Sequence, residues 1–366
     1  MIQDAHGNLL TAEADALVNT VNTVGVMGKG IALQFKRAFP ENYKAYKAAC
    51  DQGKVQIGQM FIWDAGELVP AKPRFVINFP TKVHWRSRST LAVIRTGLED
   101  LVRQVRDLPV KSLAVPPLGC GHGGLRWDEV RPLILEALGE LEGVEVLLFP
   151  PEGAPSAADQ PSRTQLPRMT PGRAALIGIM ERYLPFAVNV TAVDIQKLMY
   201  FMQEAGEPLK LRFAKGRYGP YADNLRHVLA SMEGHYISGV GDGSSKALDP
   251  IPFEILKGAS AASATVLAER PETTARMHRV AELIEGFESA YGLELLATVH
   301  WAGTRDEGGA PRGTPASVAD IERRVSSWNR RKGQLFKSAH IAKAIAHLHR
   351  RGWLEAPGPV GLFATP

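Results

Sequence analysis

The chain has 366 residues, a length that predicts two domains, each large enough to bury its own core. The chain has 43 Lys and Arg against 38 Asp and Glu. Residues 1–150 hold 17 basic and 16 acidic residues, so most of the excess positive charge lies after residue 150. With only Cys50 and Cys120 and no Cys/His spacing typical of zinc sites, a disulfide scaffold is excluded. No signal peptide and no run of about 18 apolar residues is present. We therefore expect a cytoplasmic protein with no metal, cofactor or membrane contact.

Short β-type runs alternate with helix-like stretches through residues 1–150. This alternation predicts an α/β domain with a mixed sheet between helices, and it places function on the loops at the strand ends. The runs in chain order are ALVNTV, GIALQFKRAF, ENYKAYKAAC, MFIWDA, RFVINF, a helix from Leu91 to Val105, SLAVPPL, EVRPLILEAL and VEVLLF.

Residues 150–171 read PPEGAPSAADQPSRTQLPRMTP, with six prolines and no apolar periodicity. This composition predicts a linker at 151–172 between a first domain at 1–150 and a second at 173–366. Mostly helical patterns follow the linker, which predicts a mainly helical α+β domain.

Two glycine-rich segments, VMGKGIA at 26–32 and LGCGHGGL at 118–125, each lie between a strand and a helix. Glycine lets main-chain N–H groups approach an anion, and the following helix offers its positive end, so both segments predict phosphate binding. Either segment taken alone is also compatible with an ordinary turn. Neither matches the dinucleotide fingerprint or the phosphate loop of nucleoside triphosphatases.

Asn19 and Asn22 end a buried strand just before the first glycine segment, where two amides can read ribose hydroxyls. Here LVNTVNTVGVMGKGIALQFKRAFP resembles the Asn-x-x-Asn segment and first loop of the macrodomain family, and PLGCGHGGLRW resembles its second loop. The resemblance covers residues 1–150 and is strongest to the DarG antitoxins, which remove ADP-ribose. The resemblance departs from the family pattern at Asn8. Many macrodomains have an Asp here whose carboxylate accepts a hydrogen bond from the adenine amino group, and the neutral Asn8 amide should bind that group more weakly. The implied ADP-ribose contacts are Asn8, Leu9, Asn19, Asn22, Gly28, Lys29, Gly30, Ile31, Ala32, Gly119, Cys120, Gly121, His122, Gly123 and Leu125.

Lys82 follows the strand RFVINF and can serve as a surface charge, a phosphate contact or a nucleophile. By the same resemblance it attacks the anomeric carbon of the opened distal ribose. Some relatives pair this lysine with an Asp where Gly123 stands, so electrostatic stabilisation by Lys82, with His122 or water moving protons, is an alternative. His122 is also compatible with simple packing, and Cys120 lacks an evident base. The predicted catalytic residues are Lys82, Asn22 and His122.

Basic side chains alternate with an aromatic ring just after Lys82, where His84, Arg86 and Arg88 surround Trp85. Cations that hold phosphates beside a ring that stacks a base predict a platform for single-stranded DNA. The alternative is a polar loop with one packing Trp.

In the second part, Gly-Arg-Tyr-Gly-Pro-Tyr at 216–221 resembles the SocA-like, or Panacea, antitoxin domains, which implies toxin binding. Since no catalytic or metal pattern occurs there, we interpret it as a binding module. Nine Lys and Arg between Arg323 and Arg351, near Trp328 and Trp353, predict contact with DNA or an acidic toxin surface, or else a solvated helix face.

The leading hypothesis is an antitoxin that removes ADP-ribose from single-stranded DNA, with thymidine as the expected base. Its second domain would bind and inhibit the cognate DNA-targeting ADP-ribosyltransferase toxin. The alternatives are an ADP-ribose reader without turnover and a purely toxin-binding inhibitor.

Overall fold

The computed structural model describes residues 1–66, 72–152, 160–241, 248 and 250–355. The chain forms two compact units, Met1–Leu166 and Pro167–Pro366. The middle of the expected linker, residues 153–159, lies outside the described residues.

A six-stranded sheet organises the described part of the first unit, with strand order β1-β6-β5-β2-β4-β3. Neighbouring strands are parallel except β3 and β4, which are antiparallel, so the expected mixed sheet is confirmed. The strands are β1 (Ile2–Asp4), β2 (Ala16–Asn22), β3 (Phe61–Asp64), β4 (Phe75–Lys82), β5 (Ser112–Val115) and β6 (Glu145–Leu148). The helices are α1 (Gly30–Ala38), α2 (Pro40–Asp51), α3 (Leu91–Asp107) and α4 (Trp127–Leu138), with a short 3-10 helix at Leu9–Thr11.

The central strands β2 and β4 are buried along almost their whole length, as their apolar runs require. Alternate residues point to opposite faces, so Val18 and Phe79 join one core with Ile94 of α3, while Leu17 joins another with Phe35 of α1. Helices therefore cover both faces, and the functional loops gather at the carboxyl ends of the strands.

Residues 160–166 of the expected linker belong to the first unit, whereas residues 167–172 belong to the second. Arg163 donates its main-chain N–H to Arg37 O at 2.9 Å, and its guanidinium lies 5.3 Å from the ring centroid of Phe39. Residues around Arg163 thus pack on α1 instead of forming a detached spacer.

The second unit is mainly helical with three small antiparallel sheets among its described residues, as expected. Its central helices α6 and α10 are buried on nearly all sides, and Tyr200 Oη lies 2.7 Å from His300 Nδ1 between them. The helices are α5 (Pro171–Tyr183), α6 (Ala192–Glu204), α7 (Leu225–Met232), α8 (Ala259–Ala268), α9 (Pro271–Ile284), α10 (Ala290–Thr304), α11 (Val318–Ser326), α12 (Arg330–Leu335) and α13 (Ser338–Arg350). The strands are β7 (Val190–Thr191), β8 (Phe213–Gly216), β9 (Gly219–Ala222), β10 (Ile237–Ser238), β11 (Pro250–Ile251) and β12 (Glu254–Ile255).

Part of the basic run near the end of the chain faces the interior of its own unit. Lys332 is completely buried and donates to Glu294 Oε1 at 2.6 Å, and Arg331 donates to both oxygens of the same carboxylate. Trp328 and Trp353 are also buried. A buried ammonium requires such partners, so Lys332 and Arg331 form part of an ion-pair cluster inside the fold. With Trp328 and Trp353 buried as well, these residues are not an open basic-aromatic surface.

Gly97 of α3 tests how closely this helix packs on the sheet. An alanine methyl at this position would start 2.2 Å from Phe79 Cζ. We expect Gly97→Ala to lower the free energy of unfolding, because overpacking costs about 1–3 kcal/mol and outweighs the roughly 1 kcal/mol gain in helix propensity. Chemical denaturation measures the change. Gly121→Ala is the control, since its added methyl meets nothing within 4 Å; equal stabilities of the two variants would contradict the packing assignment.

Candidate active site

The carboxyl ends of β2 and β4 bring two predicted catalytic residues together. The strands pair in regular register from Ala16 to Val21, and the register then shifts so that Asn22 lies opposite Lys82. Residues directly paired on neighbouring strands share a face of the sheet. Asn22 and Lys82 are therefore neighbours at the edge where the glycine segments lie.

Asn22 shapes the turn that leads into the first glycine segment. Its side chain is almost fully buried, Nδ2 donates to Val26 O at 2.6 Å, and Oδ1 accepts the N–H groups of Val24 and Val26 at 3.1 and 3.2 Å. These bonds fix the path of the chain towards Gly28.

The two glycine segments, Gly28–Ala32 and Gly119–Leu125, face each other and are called the cradle below. Gly30 begins α1 with φ +57°, a conformation that favours glycine, and a Cβ there would lie 3.3 Å from His122 Cδ2. The segments thus approach to van der Waals distance, and the positive end of α1 opens at this point. The structure brings together the two anion-binding segments predicted from separate parts of the sequence.

The second segment is held by main-chain hydrogen bonds, one within the segment and one from Ser89. Leu125 N donates to Gly119 O at 3.1 Å, and Ser89 N donates to Gly123 O at 3.0 Å. A Cβ at Gly123 would lie 2.3 Å from Gly119 O and 2.5 Å from Ser89 Oγ. This backbone therefore has no room for the aspartate that some related sites carry, whereas a Cβ at Gly121 meets nothing within 4 Å.

Lys82 reaches from β4 to the second cradle segment, where its Nζ donates to His122 O at 3.0 Å. Partial burial lowers the pKa of Lys82, which increases the fraction of neutral amine at a given pH. Burial, and then the nearby charges of Lys29 and Lys82, lower the pKa of His122, so its imidazole favours the neutral form. The cluster offers an amine and an imidazole beside the cradle.

Buried asparagines lie beneath this site. Asn19 is completely buried and its Nδ2 donates to Asn78 Oδ1 at 2.9 Å, while Asn78 Nδ2 donates to Asn42 Oδ1 at 2.8 Å. Asn19 therefore supports the cradle from below, which differs from its expected position against the ribose. Asn78 is the single polar side chain in the apolar run FVINF, which is a signal of a buried polar contact in the sequence itself.

Three other predicted ligand contacts, Asn8, Leu9 and Cys120, have surroundings that the structure describes. Asn8 caps the 3-10 helix, its Oδ1 accepting Leu10 N at 3.0 Å, and Leu9 is buried. Burial raises the pKa of the Cys120 thiol to about 11, so the thiol is protonated at neutral pH and is a poor nucleophile.

The expected DNA platform adjoins the cradle. The rings of His84 and Trp85 are 5.3 Å apart between centroids, and the Arg86 guanidinium lies 4.3 Å from the Trp85 ring centroid. Arg88 Nε would lie 3.8 Å from a Cβ on Gly124, so this cation sits beside the second cradle segment. A nucleobase that stacks on Trp85 has to compete with these neighbours.

In the part of the chain that the structure describes, no helix combines the length and apolar character that a bilayer span requires. Nor do three or more His, Cys, Asp or Glu side chains within those residues group as metal ligands.

Comparisons with known proteins identify the family of the chain. Residues 18–134 match the family model described as the Macro domain. The chain is 48% identical over 355 residues to a DNA ADP-ribosyl glycohydrolase of Thermus aquaticus, covering 97% of this chain and 95% of that protein. It is 43% identical over 357 residues to a protein of the same name from Mycobacterium tuberculosis, covering 94% and 98%. A Thermosipho africanus DNA ADP-ribosyl transferase–DNA ADP-ribosyl glycohydrolase fusion protein is 35% identical over 149 residues, covering 37% and 38%.

The similarity to the first two relatives extends over both compact units and is not confined to the sheet domain. The chain belongs to the DNA ADP-ribosyl glycohydrolase family, and its first unit contains the macro domain of that family.

Proposed function

We propose that the chain is an antitoxin whose first unit hydrolyses the bond between ADP-ribose and a base of single-stranded DNA, with thymidine as the base. The observation that carries this proposal is the juxtaposition of Lys82 and Asn22 beside the cradle, with Lys82 Nζ 3.0 Å from His122 O. The names of the relatives, DNA ADP-ribosyl glycohydrolases, support the same reaction.

ADP-ribose would bind with its diphosphate between the two cradle segments. Glycine main-chain N–H groups and the positive end of α1 suit an anion, and Lys29 adds a charge at the first segment. An amide nitrogen has two donors, and Asn22 Nδ2 gives one of them to Val26 O. Its second donor is directed to a hydroxyl of the distal ribose in this proposal.

The reaction breaks the glycosidic bond, and the departing base takes the bonding electrons. In one route, the neutral amine of Lys82 attacks the anomeric carbon of the opened ribose, and water hydrolyses the resulting imine. In the other, water attacks the anomeric carbon while Lys82 acts electrostatically, and His122 or a second water passes the proton of the attacking water to the departing base. The lowered pKa of Lys82 supports the first route, because only the neutral amine is nucleophilic.

Binding of the DNA that carries the ADP-ribose is assigned to residues 84–88, which follow Lys82 and are called the rim below. His84, Arg86 and Arg88 supply donors for phosphates and lie on the side of the second cradle segment. Trp85 is half-buried between its neighbours, and a base can stack on it by displacing the Arg86 guanidinium.

We infer a second activity for the second unit, the binding and inhibition of the cognate ADP-ribosyltransferase toxin. The fusion of a transferase to a glycohydrolase in the Thermosipho relative supports this pairing. Arg217 and Tyr218 form the turn between β8 and β9, where Arg217 is exposed and Tyr218 is half-buried with the Arg331 guanidinium 5.0 Å from its ring centroid. Asn329 Nδ2 holds that turn by donating to Arg217 O at 3.0 Å. A rigid turn that presents Arg and Tyr has the character of an interface anchor.

Gly121→Trp tests the cradle. We expect the dissociation constant for ADP-ribose to rise by about tenfold or more, since the indole would fill space that the diphosphate needs, while the unfolding midpoint stays close to that of the wild type. Isothermal titration calorimetry measures the affinity. Gly313→Trp in the second unit is the control, because its Cβ also meets nothing within 4 Å. Unchanged affinity of the Gly121 variant would remove the assignment of the cradle.

Lys82→Ala tests the chemistry. Release of ADP-ribose from modified DNA should fall by about 100-fold or more, with a much smaller change in ADP-ribose affinity, as for a group that acts mainly in the transition state. In the nucleophilic route, wild-type activity should rise with pH as Lys82 loses its proton, and the rise should lie below the pH expected for an ordinary lysine, because burial lowers this pKa. In the electrostatic route, loss of the same proton should lower activity. Borohydride during turnover should trap a lysyl adduct in the nucleophilic route and none in the electrostatic route. Full turnover by the variant would exclude Lys82 as a catalytic residue.

The second unit should bind the toxin without hydrolysing the modification. We expect residues 167–366, expressed alone, to co-purify with the toxin and to protect cells that produce it, because this unit has its own core. Arg217→Ala combined with Tyr218→Ala should weaken binding by at least tenfold, and Lys257→Ala, at an exposed position outside the basic run, should not. If neither the fragment nor a full-length Lys82→Ala protein protects cells, neutralisation depends on hydrolysis alone.

A further inference from the structure

The end of the β2–β4 pair is irregular where the catalytic residues lie. Val21 pairs with Pro80, and the next pair is Asn22 with Lys82, so Thr81 is passed over. Pro80 has no N–H to give to the ladder, and proline inside a sheet is found at such irregularities. An extra residue on one strand redirects the side chains that follow it.

The carbonyls on both sides of this shift accept hydrogen bonds from buried hydroxyls. Thr81 Oγ1 donates to Val21 O at 3.3 Å, and the hydroxyl of Tyr46 in α2 donates to Asn22 O. Tyr46 is fully buried and Thr81 is almost so. Burial raises the pKa of Tyr46 far above its ordinary value, so this hydroxyl remains a proton donor. Two elements, β4 and α2, thus satisfy groups that the irregular ladder would otherwise leave unpaired.

We propose that Tyr46 and Thr81 are positioning residues that hold the register shift and thereby aim Lys82 and Asn22 into the cradle. In regular pairing Asn22 would lie opposite Thr81, and Lys82 would project to the other face, because one residue of slip reverses the face of a strand. The inference rests on the proposed hydrolase function for its activity readout, whereas the geometry of Lys82 can be measured without turnover.

The experiment compares Tyr46→Phe and Thr81→Val, which remove one hydroxyl each and keep the buried shape, with Thr81→Ser, which restores the hydroxyl. Tyr183→Phe is the matched control, since Tyr183 is a buried tyrosine in the second unit whose hydroxyl donates to Glu288 O at 2.8 Å. The readouts are kcat on ADP-ribosylated DNA, the dissociation constant for ADP-ribose, the unfolding midpoint, and the Lys82 pKa by NMR of reductively methylated protein.

We expect Tyr46→Phe and Thr81→Val to lower kcat by roughly ten- to a hundredfold, as misplacement of a reacting group does, with a smaller change in ADP-ribose affinity. The Lys82 pKa should rise towards that of an ordinary lysine as the amine leaves its half-buried place at His122 O. Thr81→Ser should recover kcat and the pKa, and Tyr183→Phe should change neither.

Wild-type kcat and an unchanged Lys82 pKa in both hydroxyl-free variants would overturn the inference. A loss of kcat that simply follows the unfolding midpoint, or that Thr81→Ser does not recover, would also overturn it. If the wild-type protein releases no ADP-ribose but the Lys82 pKa still responds to both substitutions, the proposed hydrolase function fails and the positioning role stands.

Discussion

The parallel pairing of β2 with β4 is the constraint on which the rest of the first unit depends. It places apolar residues on both faces, so each strand requires helices on both sides, and it sets the two strand ends at one edge. Asn19 lies opposite Asn78 in the same register, which makes the buried amide contact possible. The first cradle segment follows β2 and Lys82 ends β4, so the last residues of this pair of strands place both at the same edge.

In the proposed function, diphosphate binding and the choice of DNA carrier use neighbouring parts of the chain. The cradle offers main-chain N–H groups and a helix terminus, which suit a diphosphate whatever it is attached to. Lys82, Asn22 and His122 supply the functional groups at one end of the cradle, and the residues from His84 to Arg88 form its outer rim. In the proposed function, affinity for ADP-ribose and selection of the carrier are therefore separate properties of neighbouring segments.

Much of the fold was predictable, because its signals are local. Alternating strand and helix patterns gave the α/β unit, and the glycines of both cradle segments marked the loops at the strand ends. The burial of Asn19 and the role of Asn42 were not predictable in this way, since they depend on which residue lies opposite in a neighbouring element. The same reason explains Lys332, which belongs to a basic run in the sequence and to a buried ion pair with Glu294 in the structure. Local patterns identify helices and strands, whereas contacts with distant segments determine which polar side chains are buried and what they bind.

The tight packing of Gly123 has an evolutionary consequence. A carboxylate cannot be added at that position by one substitution, because its first carbon would already overlap the main chain of Gly119. A descendant that gains an acid there must also move the main chain of Gly119 or Gly123. A substitution of His84, Arg86 or Arg88 needs no such movement, since these side chains are exposed.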